Sequence, residues 1–315
     1  MKILLTGAAG FIGYHTICKL LERGDEVVGL DNVSNYYDPT LKEARLKLLE
    51  GREGFTFIRG DILDRATVAK AMNGVDRVIH LAALAGVRYA FEHPDEYIDI
   101  NIRGFFHIID EVRKQKVKGL IYASSSSVYG GNEKLPASEA DRTDDQISLY
   151  GMNKKDNELM AHTYHHLYSI PVTGLRFFTV YGPYGRPDMA LFLFTDALLH
   201  DRPLSIYGEG KMQRDFTYVD DIVAGILASC DKNYPEELFN LGCGRQEELM
   251  EYVRLIEQSC GREARKEYLP MQPGDVRASL ADISRAKKML GYEPKTRIAE
   301  GVPKFVEWYR AYYGL

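Results

Sequence analysis

Within the first 178 residues, short apolar runs alternate with longer amphipathic segments, and no other feature of the chain restricts its fold so far. KILLTG at 2–7, EVVGLD at 26–31, FTFIRGD at 55–61, DRVIHLA at 76–82, GLIYASS at 119–125 and PVTGLRFF at 171–178 have the length and apolar content of buried strands. Between most of them lie segments of helix length: FIGYHTICKLLERG, ILDRATVAKAMNG, DEYIDINIRGFFHIIDEVRKQ and SLYGMNKKDNELMAHTYHHLYS. Strands separated in this way run parallel, with the helices covering both faces of the sheet. The predicted class is α/β, a doubly wound parallel sheet. From about residue 179 the rhythm gives way to the loops YGPYGRPDM, YGEGK and QPGD with helices between them, which predicts a smaller C-terminal α/β lobe. FNLGCG at 239–244 reads as a strand end, so the chain is expected to return to the sheet at about 215–245. The expected division is a first domain over 1–178 with that return, and a lobe built from 179–214 and 246–315.

Charge and cysteine content exclude several partners. The 40 Lys and Arg against 45 Asp and Glu leave a net charge of −5, which offers nucleic acid or an anionic membrane no general attraction. No apolar run approaches the ~20 residues that span a bilayer, and a cytoplasmic location is expected. Cys18, Cys230, Cys243 and Cys260 are scattered without a CxxC pair, as reduced thiols would be. The eight histidines show no ligand spacing; His162, His165 and His166 read as surface or packing residues, and no metal is expected.

Two motifs carry chemistry. TGAAGFIG sets Gly7, Gly10 and Gly13 between the first strand and the first helix, where a tight turn brings the backbone close to a pyrophosphate on the helix N-terminus. Asp31 ends the second strand, 18 residues after Gly13, placed to bond both ribose hydroxyls and to repel a 2′-phosphate. The expected cofactor is NAD rather than NADP. Asp61, ending the third strand, is expected on the adenine side. In the second motif, Tyr150 and Lys154 stand four apart on one helix face, 25 residues after Ser125 in the first case. A phenol ionises near pH ~10. A neighbouring ammonium and a cationic nicotinamide would favour its phenolate and suit it to acid–base work.

TGAAGFIG, LAA at 81–83, SSSSVYG, YGMNK, RDFTYVDDI at 214–222 and QPGD at 272–275 together resemble the extended short-chain dehydrogenase/reductase family of nucleotide-sugar enzymes, whose first domain is a Rossmann fold. More narrowly, AGVRYAFEHPDEY, NELMAHTYHHLY and LRFFTVYGPYGRPDMALFLFT are similar to the UDP-glucuronate 4-epimerases of that family. The resemblance implies Tyr150 as acid/base, Lys154 on the nicotinamide ribose and Ser125 sharing the sugar 4-hydroxyl. It implies that Phe11, Ile12, Asn32, Ile62, Leu81, Ala82, Ala83, Asn101 and Phe178 line the cofactor with the glycines and the two aspartates. Arg214 would meet the UDP diphosphate, with Gln272 and Asp275 also on the substrate. A homodimer packed through the helices around 95–115 and from 148 is implied as well.

The same comparison separates reaction types. UDP-galactose 4-epimerases usually carry asparagine at the place of Thr179 and arginine at that of Gln272, and dTDP-glucose dehydratases need an Asp–Glu pair where this chain has Ser126 and Ser127. Decarboxylases usually bring a glutamate into the serine run; Glu133 is too far along to serve. Oxidation of glucuronate at C4 gives a ketone β to the carboxylate, which loses carbon dioxide readily. Holding that carboxylate with hydroxyls from Ser125, Ser126, Ser127 and Thr179, with positive charge from Arg186 and Arg88 on loops, suits an enzyme that must release it again. The expected activity is NAD-dependent 4-epimerisation of a UDP-hexuronic acid. A UDP-hexose epimerase or a UDP-glucuronate decarboxylase is the alternative, and a non-catalytic NAD sensor would have no use for Ser125, Tyr150 and Lys154 together.

Overall fold

The structure, a computed structural model, describes residues 1–272 and 274–315. β1 (Lys2–Thr6) leads through the glycine turn into α1 (Phe11–Glu22), followed by β2 (Glu26–Asp31), α2 (Thr40–Leu49), β3 (Phe55–Arg59), α3 (Arg65–Met72) and β4 (Arg77–His80). Two single-turn helices, α4 (Tyr89–Glu92) and α5 (Pro94–Tyr97), continue through a π-helical stretch (Ile98–Gly104) into α6 (Phe105–Gln115). β5 (Leu120–Ser125) ends in a 3-10 turn (Ser126–Tyr129), and α7 (Leu149–Tyr168) and β6 (Val172–Phe177) come next. The remainder comprises β7 (Thr179–Tyr181), α8 (Ala190–Leu199), β8 (Leu204–Tyr207), β9 (Gln213–Arg214), β10 (Phe216–Tyr218), α9 (Val219–Lys232), β11 (Glu236–Leu241), β12 (Glu247–Glu248), α10 (Leu249–Cys260), β13 (Lys266–Leu269), α11 (Ser284–Leu290) and α12 (Ile298–Tyr313).

Seven strands form one parallel sheet in the order β11-β6-β5-β4-β1-β2-β3. Alternation along β1 supplies both faces. Ile3 and Leu5 enter one core with Ile17 and Leu20 of α1 and Ile222 and Ile226 of α9. Leu4 enters the other with Val68 of α3 and Ile108 and Ile109 of α6. From β1 the chain winds outward to β3, then reverses to place β4 on the other side of β1, which opens a crevice beyond the carboxyl ends of β1 and β4. No element between the second and third strands was expected from the sequence; α2 lies there, with Leu41, Arg45 and Leu49 buried at helical spacing.

A third core, made of Leu191 and Phe194, Leu204 and Ile206, Tyr252 and Val253, and Phe305 and Tyr309, holds α8, β8, α10 and α12 together. Trp308 of α12 packs on Tyr184, ring centroids 4.8 Å apart, and so backs the loop between β7 and α8. That loop reaches the crevice.

Candidate active site

The crevice is a cleft of about 350 Å³. Gly7 has φ +77°, and a Cβ there would lie 2.8 Å from the amide nitrogen of Ala82; at Gly13 it would lie 2.0 Å from the Gly7 carbonyl oxygen. Only glycines allow the turn to seat so closely between α1 and the LAA loop. The first turn of α1 carries no acidic residue, so its amides and dipole are open to an anion. Gly7, Gly10, Phe11, Ile12 and Gly13 line this end with Leu81, Ala82 and Ala83. Thr6 braces the loop: its hydroxyl meets His80 Nδ1 at 2.7 Å and accepts from the Ala82 amide at 3.3 Å.

Asp31, Asn32, Asp61 and Ile62 line the same groove. Asp31 accepts from the amides of Ala9 (3.0 Å) and Val33 (2.7 Å), which fixes its carboxylate, and Asn32 donates to Asp61 at 2.8 Å. Burial raises the Asp31 pKa against the pull of those amides and of Lys42. Lys42 and Tyr36 also line the cleft and escaped the sequence reading. Lys42 follows the period of α2 and was findable; Tyr36 sits in a loop, where no period marks it. A dinucleotide fits these residues: a glycine turn leading to the open first-turn amides of α1, then one carboxylate at the end of β2 and one just past β3.

At the other end stand Ser125, Ser126, Ser127, Tyr150, Lys154, Phe178, Thr179 and Arg186. Ser148 caps α7 by accepting from the Gly151 amide at 3.0 Å, so Tyr150 falls in the first turn, with Tyr97 edge-on to its ring at 6.4 Å. Lys154, one turn on, donates to the Ala123 carbonyl at 2.9 Å, leaving two ammonium protons for a ligand. Burial lowers its pKa to about 8. Burial also raises Tyr150, against the Arg186 charge and the Ser125 hydroxyl, which both lower it. Beside the ammonium and cationic nicotinamide expected to favour the phenolate, the Arg186 guanidinium is a further charge that does so.

The serine run divides by strand alternation. Ser124 points away from Ser125 and donates to the buried Glu158 at 2.7 Å. Ser125 Oγ accepts from the Ser127 amide at 3.1 Å and lies 3.2 Å from the Ser127 hydroxyl, opening the 3-10 turn. Glu158 is held bidentately by Arg176, both bonds 2.8 Å, and Arg176 donates to the Tyr129 hydroxyl at 3.1 Å.

Five expected site residues do not line this cleft. Asn101 lies behind its wall, clamping Leu84 through the amide nitrogen (2.9 Å) and carbonyl oxygen (3.0 Å). Arg88 pairs with Asp275 at 3.3 Å and stands over the Tyr207 ring, 5.3 Å from its centroid. Arg214 donates to the carbonyls of Gln213 and Arg277 at 3.0 and 3.1 Å, and Gln272 has a buried amide oxygen without a partner among the described residues. Arg88, Arg214 and Asp275 are close enough for their charges to act on one another, at the edge of the C-terminal lobe rather than beside Tyr150. Pro273 of QPGD lies outside the described residues.

Residues 3–242 match the model of the NAD dependent epimerase/dehydratase family. A probable UDP-glucuronate 4-epimerase of Rhizobium meliloti is 44% identical over 99% of this chain and 98% of its own length. UDP-glucuronate 4-epimerase 4 of Arabidopsis thaliana is 46% identical over 99% of this chain and 76% of its own. The crystal structure of UDP-glucuronic acid 4-epimerase from Bacillus cereus, in complex with UDP-glucuronic acid and NAD, superposes with a TM-score of 0.95 at 36% identity, covering 99% of this chain and all of that one (100%). With its glycine cradle, its parallel sheet and these relatives, the chain belongs to the NAD-dependent epimerase/dehydratase family.

Proposed function

We propose that this enzyme interconverts UDP-glucuronate and UDP-galacturonate through a transient 4-ketone, with NAD as its cofactor. The observation that carries the reading is one cleft in which Tyr150, Lys154 and Ser125 meet a hydroxyl-bearing turn and the Arg186 guanidinium. NAD, when bound, takes up hydride from C4 and returns it to the opposite face. Tyr150 accepts the 4-hydroxyl proton at its phenolic oxygen and later gives it back. Lys154 supplies positive charge beside the phenol and donates to the nicotinamide ribose, while Ser125 shares the 4-hydroxyl. Asp31 reads the adenosine ribose and favours NAD.

Between oxidation and reduction the 4-ketone lies β to the carboxylate. Ser126, Ser127 and Thr179 donate to that carboxylate from uncharged hydroxyls, bonds of roughly 1.5–3 kcal/mol each, without a permanent ion pair that would fix the sugar in one orientation. The serine turn lacks the acid pair that dehydration needs. Arg214 belongs to the nucleotide end, on the C-terminal lobe, which we assign to the sugar nucleotide as we assign residues 1–178 and the β11 return to NAD; Arg88 reaches that end from the first domain through its pair with Asp275. A homodimer is favoured by Ile98 and Leu159, both exposed on the faces of the helical stretches around 95–115 and from 148. Four unpaired cysteines suit a reducing cytoplasm.

Incubating the purified protein with UDP-glucuronate and separating the products tests the reading. UDP-galacturonate should accumulate to an equilibrium mixture. Conversion only of UDP-glucose, or release of a pentose nucleotide in place of the epimer, would overturn it.

A further inference from the structure

Arg186 does not enter the cleft as a free cation. Asp188, two residues on, takes one edge of the guanidinium: Nε donates to Oδ1 at 3.0 Å and Nη2 to Oδ2. Nη2 also lies 3.4 Å from both the Tyr36 hydroxyl and the Ala85 carbonyl oxygen. Tyr36 closes the cluster, donating to Ala85 and approaching Asp188 Oδ2 at 3.3 Å. Nη1 has no hydrogen-bond partner among the described residues. Burial works against the Arg186 charge, and Asp188 holds it in place; Asp188 in turn stays below the ordinary carboxylate range despite its own burial.

A guanidinium grips a carboxylate best through two parallel N–H bonds. Here Asp188 takes the Nε–Nη2 edge, the second Nη2 hydrogen is turned to the Tyr36 hydroxyl and the Ala85 carbonyl oxygen at 3.4 Å, and the charge is already balanced. We propose that Asp188 is a positioning residue that limits Arg186 to a one-point hold on the sugar carboxylate through Nη1, so that the sugar can turn over between oxidation and reduction. This rests on the 4-epimerase reading. An uncompensated, bidentate arginine would bind the starting orientation tightly, and binding gained there without equal gain along the reaction slows turnover. Asp188 therefore trades affinity for release, and it acts only on substrates that carry a carboxylate.

Asp188→Asn removes the charge and keeps an acceptor for Nε. In the NAD-loaded protein on a Tyr150→Phe background, where the sugar is not consumed, calorimetry should show Kd for UDP-glucuronate falling at least tenfold, about 1.4 kcal/mol. Kd for UDP-glucose should stay within about twofold, since that sugar offers no charge to the arginine. With Tyr150 intact, kcat for epimerisation should fall while KM falls with it. Asp188→Glu should restore both values, and Arg186→Ala should cancel the effect of Asp188→Asn. Unchanged Kd for UDP-glucuronate, a parallel shift for both sugars, or an effect that survives Arg186→Ala would overturn the proposal. Should Asp188→Asn fail to fold, Asp188→Ser carries the same expectation. A native protein that makes no UDP-galacturonate defeats the functional reading instead, and the affinity comparison still judges Asp188.

Discussion

Tyr150 works under opposed influences: burial disfavours its phenolate, while Arg186 and the Ser125 hydroxyl favour it. The Arg186 guanidinium therefore acts on the phenol, in addition to the hold on the sugar that we propose for it. Replacing Tyr150 by phenylalanine keeps the ring that packs against Tyr97 and removes only the acid/base. Turnover with saturating UDP-glucuronate should fall at least ~10², with NAD retained in the purified protein. Near-native turnover would move the proton transfer to another group. Tyr150 and Lys154 were legible in the sequence because a helix repeats, and four residues apart means one face. Asp188 and Tyr36 were not. They meet Arg186 from two loops, 150 and 2 residues distant from it in sequence, and loop conformation leaves no periodic trace.

At the level of elements, the end of β5 shows why four serines follow a buried strand. One, Ser124, faces inward to Glu158 and Arg176; Ser125 caps the 3-10 turn; Ser126 and Ser127 stand on it at the cleft. The alternation that separates Ser124 from Ser125 could be read from the sequence. The turn could not, because hydroxyl runs suit strand ends, caps and turns alike. Nor could the ion pair beneath it, since a glutamate and an arginine 18 residues apart announce no contact until β6 has docked beside β5. On the proposed function, Ser126→Ala together with Ser127→Ala removes two hydroxyls from the carboxylate and leaves Tyr150 and Lys154 in place. The share of turnovers ending in a UDP-4-keto-pentose should rise, measured by mass spectrometry of the products. An unchanged product ratio with normal epimerisation would return both serines to a plain turn. Strands were otherwise easier to place than the far edge of the site: nothing in the spacing of Arg88 and Asp275 said that the two would pair across 187 residues, or that neither they nor Arg214 and Gln272 would line the cleft that holds Tyr150.

For the molecule as a whole, the sheet that builds the cleft also ties stability to pH. His80 lies buried at the end of β4, bonded to Thr6, and burial followed by the Lys154 charge lowers its pKa to about 3. Unfolded, the same imidazole titrates near ~6.5. Between those values the unfolded chain binds the extra proton, so stability falls as pH drops through the window and is unaffected by this group above it. The slope approaches about 1.4 kcal/mol per pH unit. Denaturant unfolding at pH 7.0, 6.0 and 5.0 (working values, roughly one unit apart) should give a shallower acid slope for His80→Gln than for the native chain; equal slopes would remove His80 from the account.

The packing behind the sugar loop has a practical side. Trp308 is the chain's single indole, and it rests on Tyr184, two residues before Arg186. The Tyr184 carbonyl is held at 2.7 Å by Arg45, which also reaches the Ala9 carbonyl in the glycine turn at 2.8 Å and the Tyr37 hydroxyl at 2.7 Å. One fluorophore is thus linked by contacts to both ends of the cleft. Trp308 emission is therefore expected to change when NAD or UDP-glucuronate is titrated in, and emission indifferent to both would show that these contacts transmit nothing.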